Sequence, residues 1–320
     1  MKKLTALLLL LLASALLVSC YADCVAKPRE SGRRSFTYLL VGMDDAAANT
    51  DVLALCSFSE STQRLVLVQI PRDTYVLHEG TPRKINQIYP LSLASRSDRE
   101  SLAYLRETVA TLLGVRIDGY MAMTAEGLGA VIDGLGGIDL RLPPSLSNGE
   151  GKGETVHLDG AESVRFVRHR SSYAMGDLGR VDAQKLFLSA LLAKLRTELT
   201  LASATSLART ALRHTVSDVS TYDMIEHAVR LLSRRDSLSA VYMTLPGEAV
   251  YTGETWYYAV CRRAADDMTA SYLLREGEFD PHGQMDAKDH VAMHLIYRDT
   301  HRTYPIYTEQ DLEKIQIPFS

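Results

Sequence analysis

Three apolar runs rich in strand formers stand close together early in the chain: F-T-Y-L-L-V-G at 36–42, D-V-L-A-L-C-S-F at 51–58 and R-L-V-L-V-Q-I at 64–70. Short polar segments join them. This predicts an antiparallel meander with the turn at Ser59 to Gln63 on one edge of the sheet and the loop from Asp44 to Thr50 on the other. Asp44, Asp51 and Arg72, the last in Pro71-Arg72-Asp73-Thr74, would then meet at one edge. The period then changes to that of helices. Ser97 and Glu100 form a capping-box pattern before a stripe of Leu102, Leu105, Val109, Leu112 and Leu113, and Gly114 marks its end. Gly119 to Met123 is expected as a strand, followed by a helix that stops at Gly136-Gly137. Leu178 to Arg196 carries Leu188, Leu191, Leu192 and Leu195 in helical register. Alternating strands and helices imply an α/β (α-β-α) domain, a central mixed sheet flanked by helices.

Beyond residue 200 the pattern weakens. Ser239 to Leu245 and Val250 to Val260 are expected as strands, and short helices follow. Tyr251, Trp256, Tyr257 and Tyr258 would form either an aromatic edge strand over the core or a platform for stacking sugars. His282, His290, His294 and His301 are irregularly spaced and are expected at the surface. Cys56 and Cys261 fall in apolar or aromatic strands, which suggests neither a disulfide framework nor a thiolate metal site.

The chain has 320 residues, 46% of them hydrophobic, enough to bury one large core. Its formal net charge is -4, yet Arg165, Arg168, Arg170 and Arg180 fall within sixteen positions. Such a concentration of guanidinium forks suits phosphate oxygens, the alternative being a solvated helix face. Asp159 and Glu162 form another capping box, so a helix should run from Gly160 to about Val167. Residues two apart on a helix point to different sides, so Arg168 and Arg170 can share one anion only if the helix ends between them. At the other cluster, Asp44, Asp51 and Arg72 are compatible with a Mg2+ and phosphate site, or with ordinary turn chemistry at strand ends. No basic-aromatic pattern points to nucleic acid.

The N-terminus supplies an address. Lys2 and Lys3 precede an uncharged run from Leu4 to Ser19, short for a membrane span but suited to a signal-peptide core. It ends Leu17-Val18-Ser19-Cys20, a lipobox-like tetrapeptide in which Cys20 would be lipidated and begin the mature chain. A single-pass anchor and cleavage after Ala13-Ser14-Ala15 are the alternatives, and all three put the rest of the chain outside the cytoplasm. The expected organisation is a signal peptide at 1–19, a basic tether at 20–35 attracted to an anionic surface, a catalytic domain at 36–260 and a C-terminal helical extension at 261–320.

An ordered series of motifs now carries a resemblance: G-M-D with the later T-D, I-P-R-D-T, K-I-N at Lys84 to Asn86, V-I-D-G-L-G-G-I-D at Val131 to Asp139, L-D-G with V-R-H-R, and G-D-L-G-R with the later Q. As a set, over residues 36 to about 198, it closely resembles the LytR-CpsA-Psr family of cell-wall enzymes. The resemblance implies a Mg2+-dependent phosphotransferase that moves a glycopolymer from a polyprenyl-pyrophosphate carrier to peptidoglycan at the extracytoplasmic membrane face. It implies Asp44 and Asp51 as metal-side carboxylates, and Arg72, Arg168, Arg170, Arg180 and Lys84 as pyrophosphate contacts, with Asp177 and Gln184 beside them. Part of the apolar helix surface would line a tunnel for the polyprenyl chain. Asp177 is the first candidate base for the attacking hydroxyl and Asp73 the second, although pairing with a neighbour is the commoner fate of such a residue. Two positions depart from the family pattern: Asn49 and Ala183 stand where arginines are usual. A lipid-anchored binding protein without turnover, or a pyrophosphate hydrolase using the same site, therefore remain alternatives.

Overall fold

The computed structural model describes residues 35–44, 49–146, 153–198, 201–273, 304–312, 314, 315 and 317. The expected signal segment, Cys20, the tether and the four C-terminal histidines lie outside the described residues.

The early apolar runs form the meander β1 (Phe36–Met43), β2 (Thr50–Ser59) and β3 (Arg64–Gln69), paired antiparallel in sequence order. A hairpin of β4 (Tyr75–His78) and β5 (Thr81–Lys84) follows, then α1 (Ile88–Ser92) and α2 (Asp98–Leu113). The cap expected for α2 is present: Ser97 accepts from the Glu100 amide, the Glu100 side chain returns to Ser97, and Gly114 closes the helix at φ 62. β6 (Gly119–Thr124) joins the sheet beside β1 in parallel, and α3 (Ala125–Gly134) leads to a second hairpin, β7 (Ile138–Leu142) and β8 (Glu154–Leu158). Next come α4 (Gly160–Arg168), α5 (Asp177–Glu198), α6 (Leu201–His214), β9 (Thr215–Ser217), α7 (Thr221–Ser233) and β10 (Ser239–Thr244). The stretch expected as one strand from Val250 to Val260 is instead a hairpin, β11 (Gly247–Tyr251) and β12 (Trp256–Val260), turned at Thr252 to Thr255 with Gly253 at φ 95. α8 (Arg262–Met268) runs on into a π-helical segment, Thr269–Leu273, and α9 (Glu309–Leu312) follows; a 3-10 turn, Ile85–Gln87, precedes α1.

The main sheet has the order β10-β3-β2-β1-β6-β9. β10 is parallel to β3 and β6 to β1, so the carboxyl ends of β1, β3, β6 and β10 share one edge. Alternate residues of the strands feed two cores. Leu39, Val41, Leu53 and Val68 pack with Leu102, Leu105 and Val109 of α2, whereas Phe36, Tyr38, Phe58 and Leu67 pack with Ala183 and Leu186 of α5. Covering both faces with helices explains why β1 is nearly continuously apolar, without polar alternation. The described C-terminal residues join both cores: Ala265, Met268 and Leu273 enter the first, while Leu312, Ile315 and Ile317 enter the second.

Candidate active site at the carboxyl edge of the sheet

In open α/β sheets the carboxyl edge of parallel strands is where ligands settle, because chain leaving each strand crosses there unpaired. Here that edge collects most of the polar positions singled out above. β1 and β2 pair in constant register to Gly42↔Val52, then shift so that Met43 meets Thr50, leaving Asp51 as the extra residue of a β-bulge. A bulge re-aims the side chain it carries. Asp51 thereby reaches Arg72, just past the end of β3, with Arg72 Nη1 donating to Asp51 Oδ1 at 2.9 Å. Asp44 stands on the same edge at the end of β1. Its amide donates to the Asn49 carbonyl at 3.1 Å, and its Oδ2 accepts from Asn49 Nδ2, also at 3.1 Å.

The first turns of α5 lie across this edge. Asp177 Oδ1 is 3.3 Å from Arg72 Nε and 2.6 Å from an Arg180 guanidinium nitrogen, and the other Arg180 contact is the Asp51 carbonyl at 3.5 Å. Asp51, Arg72, Asp177 and Arg180 therefore form one alternating chain of charge. Both Asp177 oxygens are buried without hydrogen-bond geometry to any partner, so they are held electrostatically. Arg180 is only 3% exposed. Burial pulls its pKa down, Arg72 and Arg170 pull the same way, and Asp177 and Asp51 oppose them. An arginine remains charged under such pressure, so the site holds a cation at a desolvation cost offset by two carboxylates.

One turn later Gln184, 5% exposed, reaches in two directions. Its Nε2 donates to the Val167 carbonyl at 2.9 Å and its Oε1 accepts from Gln69 Nε2 at 3.4 Å. The first bond satisfies one of the terminal carbonyls of α4, which the helix itself leaves unpaired. It fixes the point at which Arg168 and Arg170 leave the fold. α4 ends at Arg168, and His169 is extended at φ -64, ψ 133, so the helix stops between the two arginines as the spacing predicts. Both are exposed, and Arg170 is near enough to act on Arg180. Arg165 turns away, 70% exposed and 3.8 Å from Glu162 on its own helix. Asp159 caps α4, and Gly160 lets its amide reach Asp133 of α3 at 2.8 Å, where a Cβ would strike the Gly129 carbonyl. The L-D-G motif is thus a joint that aims α4.

Lys84 arrives through the β4–β5 hairpin, whose register sets Tyr75 opposite Lys84. It pairs with Asp73 at 3.2 Å. The following residues are stitched to the same loop, Ile85 N–H to the Thr74 carbonyl at 2.8 Å and Asn86 N–H to the Arg72 carbonyl at 3.2 Å. Sequence reasoning passed over Gln69. Its signal was a polar residue closing an otherwise apolar strand at the functional edge. Among the described residues no group of three or more His, Cys, Asp or Glu side chains could hold a metal by itself.

A model of the LytR_cpsA_psr family matches residues 21–272, most of the chain. The chain belongs to the LytR_cpsA_psr family. Among curated relatives it is similar to the Oceanobacillus iheyensis polyisoprenyl-teichoic acid--peptidoglycan teichoic acid transferase TagU, 31% identical over 48% of this chain and 49% of that protein. The Bacillus cereus TagU is 27% identical over 72% and 75%. The match thus spans about half the length of the first relative. Among solved structures, Bacillus subtilis TagV has a TM-score of 0.61 at 23% identity over 75% of this chain and 96% of that one. TagT bound to LI-WTA has a TM-score of 0.59 at 22% identity over 77% and 92%. These likenesses establish the LytR_cpsA_psr fold. The two unusual positions acquire a structural description: Asn49 is a neutral donor to Asp44, and Ala183 is fully buried in the core under the sheet.

No described helix is long and apolar enough to cross a membrane.

Proposed function

We propose that the chain transfers a glycopolymer from a polyprenyl-pyrophosphate carrier to peptidoglycan. The observation that carries this is the charge chain of Asp51, Arg72, Asp177 and Arg180 at the carboxyl edge, with Arg168 and Arg170 exposed at the adjoining helix end. The relatives named as teichoic acid transferases support the same reading. Phosphoryl transfer asks mainly for positioning and electrostatic stabilisation, which preset guanidinium groups supply. Within the inner chain the two cations and two anions cancel. Arg168 and Arg170, exposed at the adjoining helix end, would bring further guanidinium groups to a pyrophosphate, while Arg72 and Arg180, held by carboxylates, direct N–H groups at fixed positions. Lys84, paired to Asp73, would extend the donor site after exchanging that partner. Gln184 positions Arg168 and Arg170 through the end of α4.

Mg2+ favours one or two carboxylates plus phosphate oxygens and water. Asp44 and Asp51, at one edge of adjacent strands, fit that donor set and would hold it. When bound, the ion would offset charge on the pyrophosphate. Asp177 bridges two arginines, so it orients them. To accept the proton of an attacking sugar hydroxyl it must release one of those contacts as substrate arrives, and Asp73 stands by at the neighbouring loop. The enzyme would work on the outer face of the cell membrane, tethered through a lipidated Cys20. Mass spectrometry of the mature protein tests that anchor, and an unmodified N-terminus elsewhere refutes it.

The activity is tested with a purified polyprenyl-pyrophosphate glycan and polymer-free peptidoglycan. Covalent attachment is the expected result. Release of free polymer would establish the hydrolase, and donor binding with neither product the inactive binding protein.

A further inference from the structure

The β11–β12 hairpin carries an aromatic pair that the fold does not use. Tyr251 and Trp256 face each other across the hairpin, ring centroids 5.3 Å apart and planes inclined at 45°. They remain 54% and 57% exposed. The turn beyond them is stitched: the Thr252 amide and hydroxyl both donate to the Thr255 carbonyl, at 3.0 and 3.1 Å, and the Tyr251 hydroxyl donates to the Gly253 carbonyl at 2.8 Å. The Tyr251 ring is thus tied by its hydroxyl, and both rings stand more than half exposed. The next residues lead to the catalytic edge. Tyr257 packs edge-on against Tyr75, and Tyr258 N–H donates to the Asp73 carbonyl at 2.8 Å, forming a parallel bridge with Thr74. Trp256 and Tyr258 are two positions apart, about 7 Å along a strand.

Resting on the transferase reading above, we propose that Tyr251 and Trp256 form the stacking platform for the uncharged glycan strand of the peptidoglycan acceptor. Three observations select this occupant. Large aromatics bury roughly 150–250 Å² each, which suits one or two sugar rings and falls well short of the roughly 1,000 Å² of a stable protein interface. The hairpin holds Glu248 and Glu254 but no lysine or arginine, which disfavours both an anionic membrane and a polyphosphate donor. Its continuity with the Arg72-Asp73-Thr74 loop brings a bound sugar to the edge where its hydroxyl must meet the phosphorus. The anionic donor is gathered by the arginines on one side, the neutral acceptor by aromatic rings on the other.

Trp256 is the single tryptophan of the chain, so its fluorescence reports the platform directly. The full chain in detergent should show a saturable shift with soluble, polymer-free peptidoglycan glycan fragments and none with anionic phospholipid vesicles. Trp256→Ala and Tyr251→Ala should each weaken sedimentation with polymer-free sacculi about tenfold, while Trp256→Phe, which keeps an aromatic face, retains most of it. In the transfer assay the same alanine variants should raise the acceptor KM with little change in kcat, and binding of undecaprenyl pyrophosphate should not change. Unaltered sacculus binding by both alanine variants, or a fluorescence response to vesicles and not to glycan, overturns the proposal. Failure of the transferase reading would appear separately, as wild-type chain that binds glycan through Trp256 but gives no transfer.

Discussion

Asp177→Asn tests the electrostatic reasoning most directly, because the substitution changes one charge and almost no volume. Asp177 lies 2.6 Å from Arg180 and 3.3 Å from Arg72, and the side chains of Asp177 and Arg180 are 19% and 4% exposed. Removing one partner of a buried pair costs about 3–5 kcal/mol, mostly the penalty of an uncompensated charge. Asparagine keeps an oxygen dipole beside Arg180, and Asp51 remains close, so the expected loss is about 2 kcal/mol. For a domain of this size that lowers Tm by roughly 4–8 °C. The sign should reverse with ligand. Without the Asp177 charge, Arg72 and Arg180 are left facing each other and gain more from an incoming anion, so inorganic pyrophosphate should raise Tm by more in the variant than in wild type. Differential scanning fluorimetry with and without pyrophosphate measures both quantities. A variant that melts with wild type, or gains less from pyrophosphate, refutes the view that Asp177 is the counter-ion that stores Arg180 at the site.

Alanine at Arg72, Arg168 or Arg170 should each cost about 2–4 kcal/mol of transition-state stabilisation in the transfer assay, while Arg165→Ala stays near wild type; equal activity in all four variants would favour a merely solvated face. Asp51→Asn should abolish the response of turnover to added Mg2+ while circular dichroism remains native, and an unchanged Mg2+ titration would remove Asp51 from the metal set. His227 stacks on Phe36 at 4.4 Å and shares a 2.6 Å hydrogen bond with the Tyr38 hydroxyl, and burial lowers its pKa against the opposing pull of Glu226, Asp223 and Asp118. The unfolded chain then binds its proton first, so stability is fully present above about pH 6.5 and declines as pH falls below it. His227→Gln should flatten that acid limb of Tm against pH, and an identical limb in the variant would assign it to other groups.

What could be read from residues alone follows the range of the forces involved. The meander, both capping boxes, the end of α4 between Arg168 and Arg170 and the start of α5 are set by neighbours in sequence, and the structure has them within a residue or two. The hairpins were not legible. β4–β5 has only four residues a side, and its turn places Glu79 and Gly80 at φ 51 and 74 without the Asn-Gly signature. It is stabilised instead by what it delivers, Lys84 to Asp73 and the Asn86 amide to the Arg72 carbonyl. The β11–β12 hairpin was hidden because its turn, Thr252 to Thr255, is flanked by aromatics that continue a strand pattern.

The site divides along the same line. Its cations were legible because arginines crowded into sixteen positions stand out in a chain of net charge -4. The meeting of Asp51 with Arg72 at one edge was expected from the meander, but their direct ion pair was not, since it depends on a bulge that no local pattern announces. That bulge decides how the edge works. In uninterrupted pairing Asp51 would stand opposite Met43 in an ordinary ladder. As the extra residue it is released from that register, and its carboxylate pairs with the Arg72 guanidinium, which also faces Asp177. The inner arginines therefore sit in an array that alternates with carboxylates, and Arg168 and Arg170 stand exposed beside it. Under the transferase proposal, Arg72 and Arg180 would engage the donor only as developing charge on it competes with Asp51 and Asp177, which is the differential binding that catalysis requires.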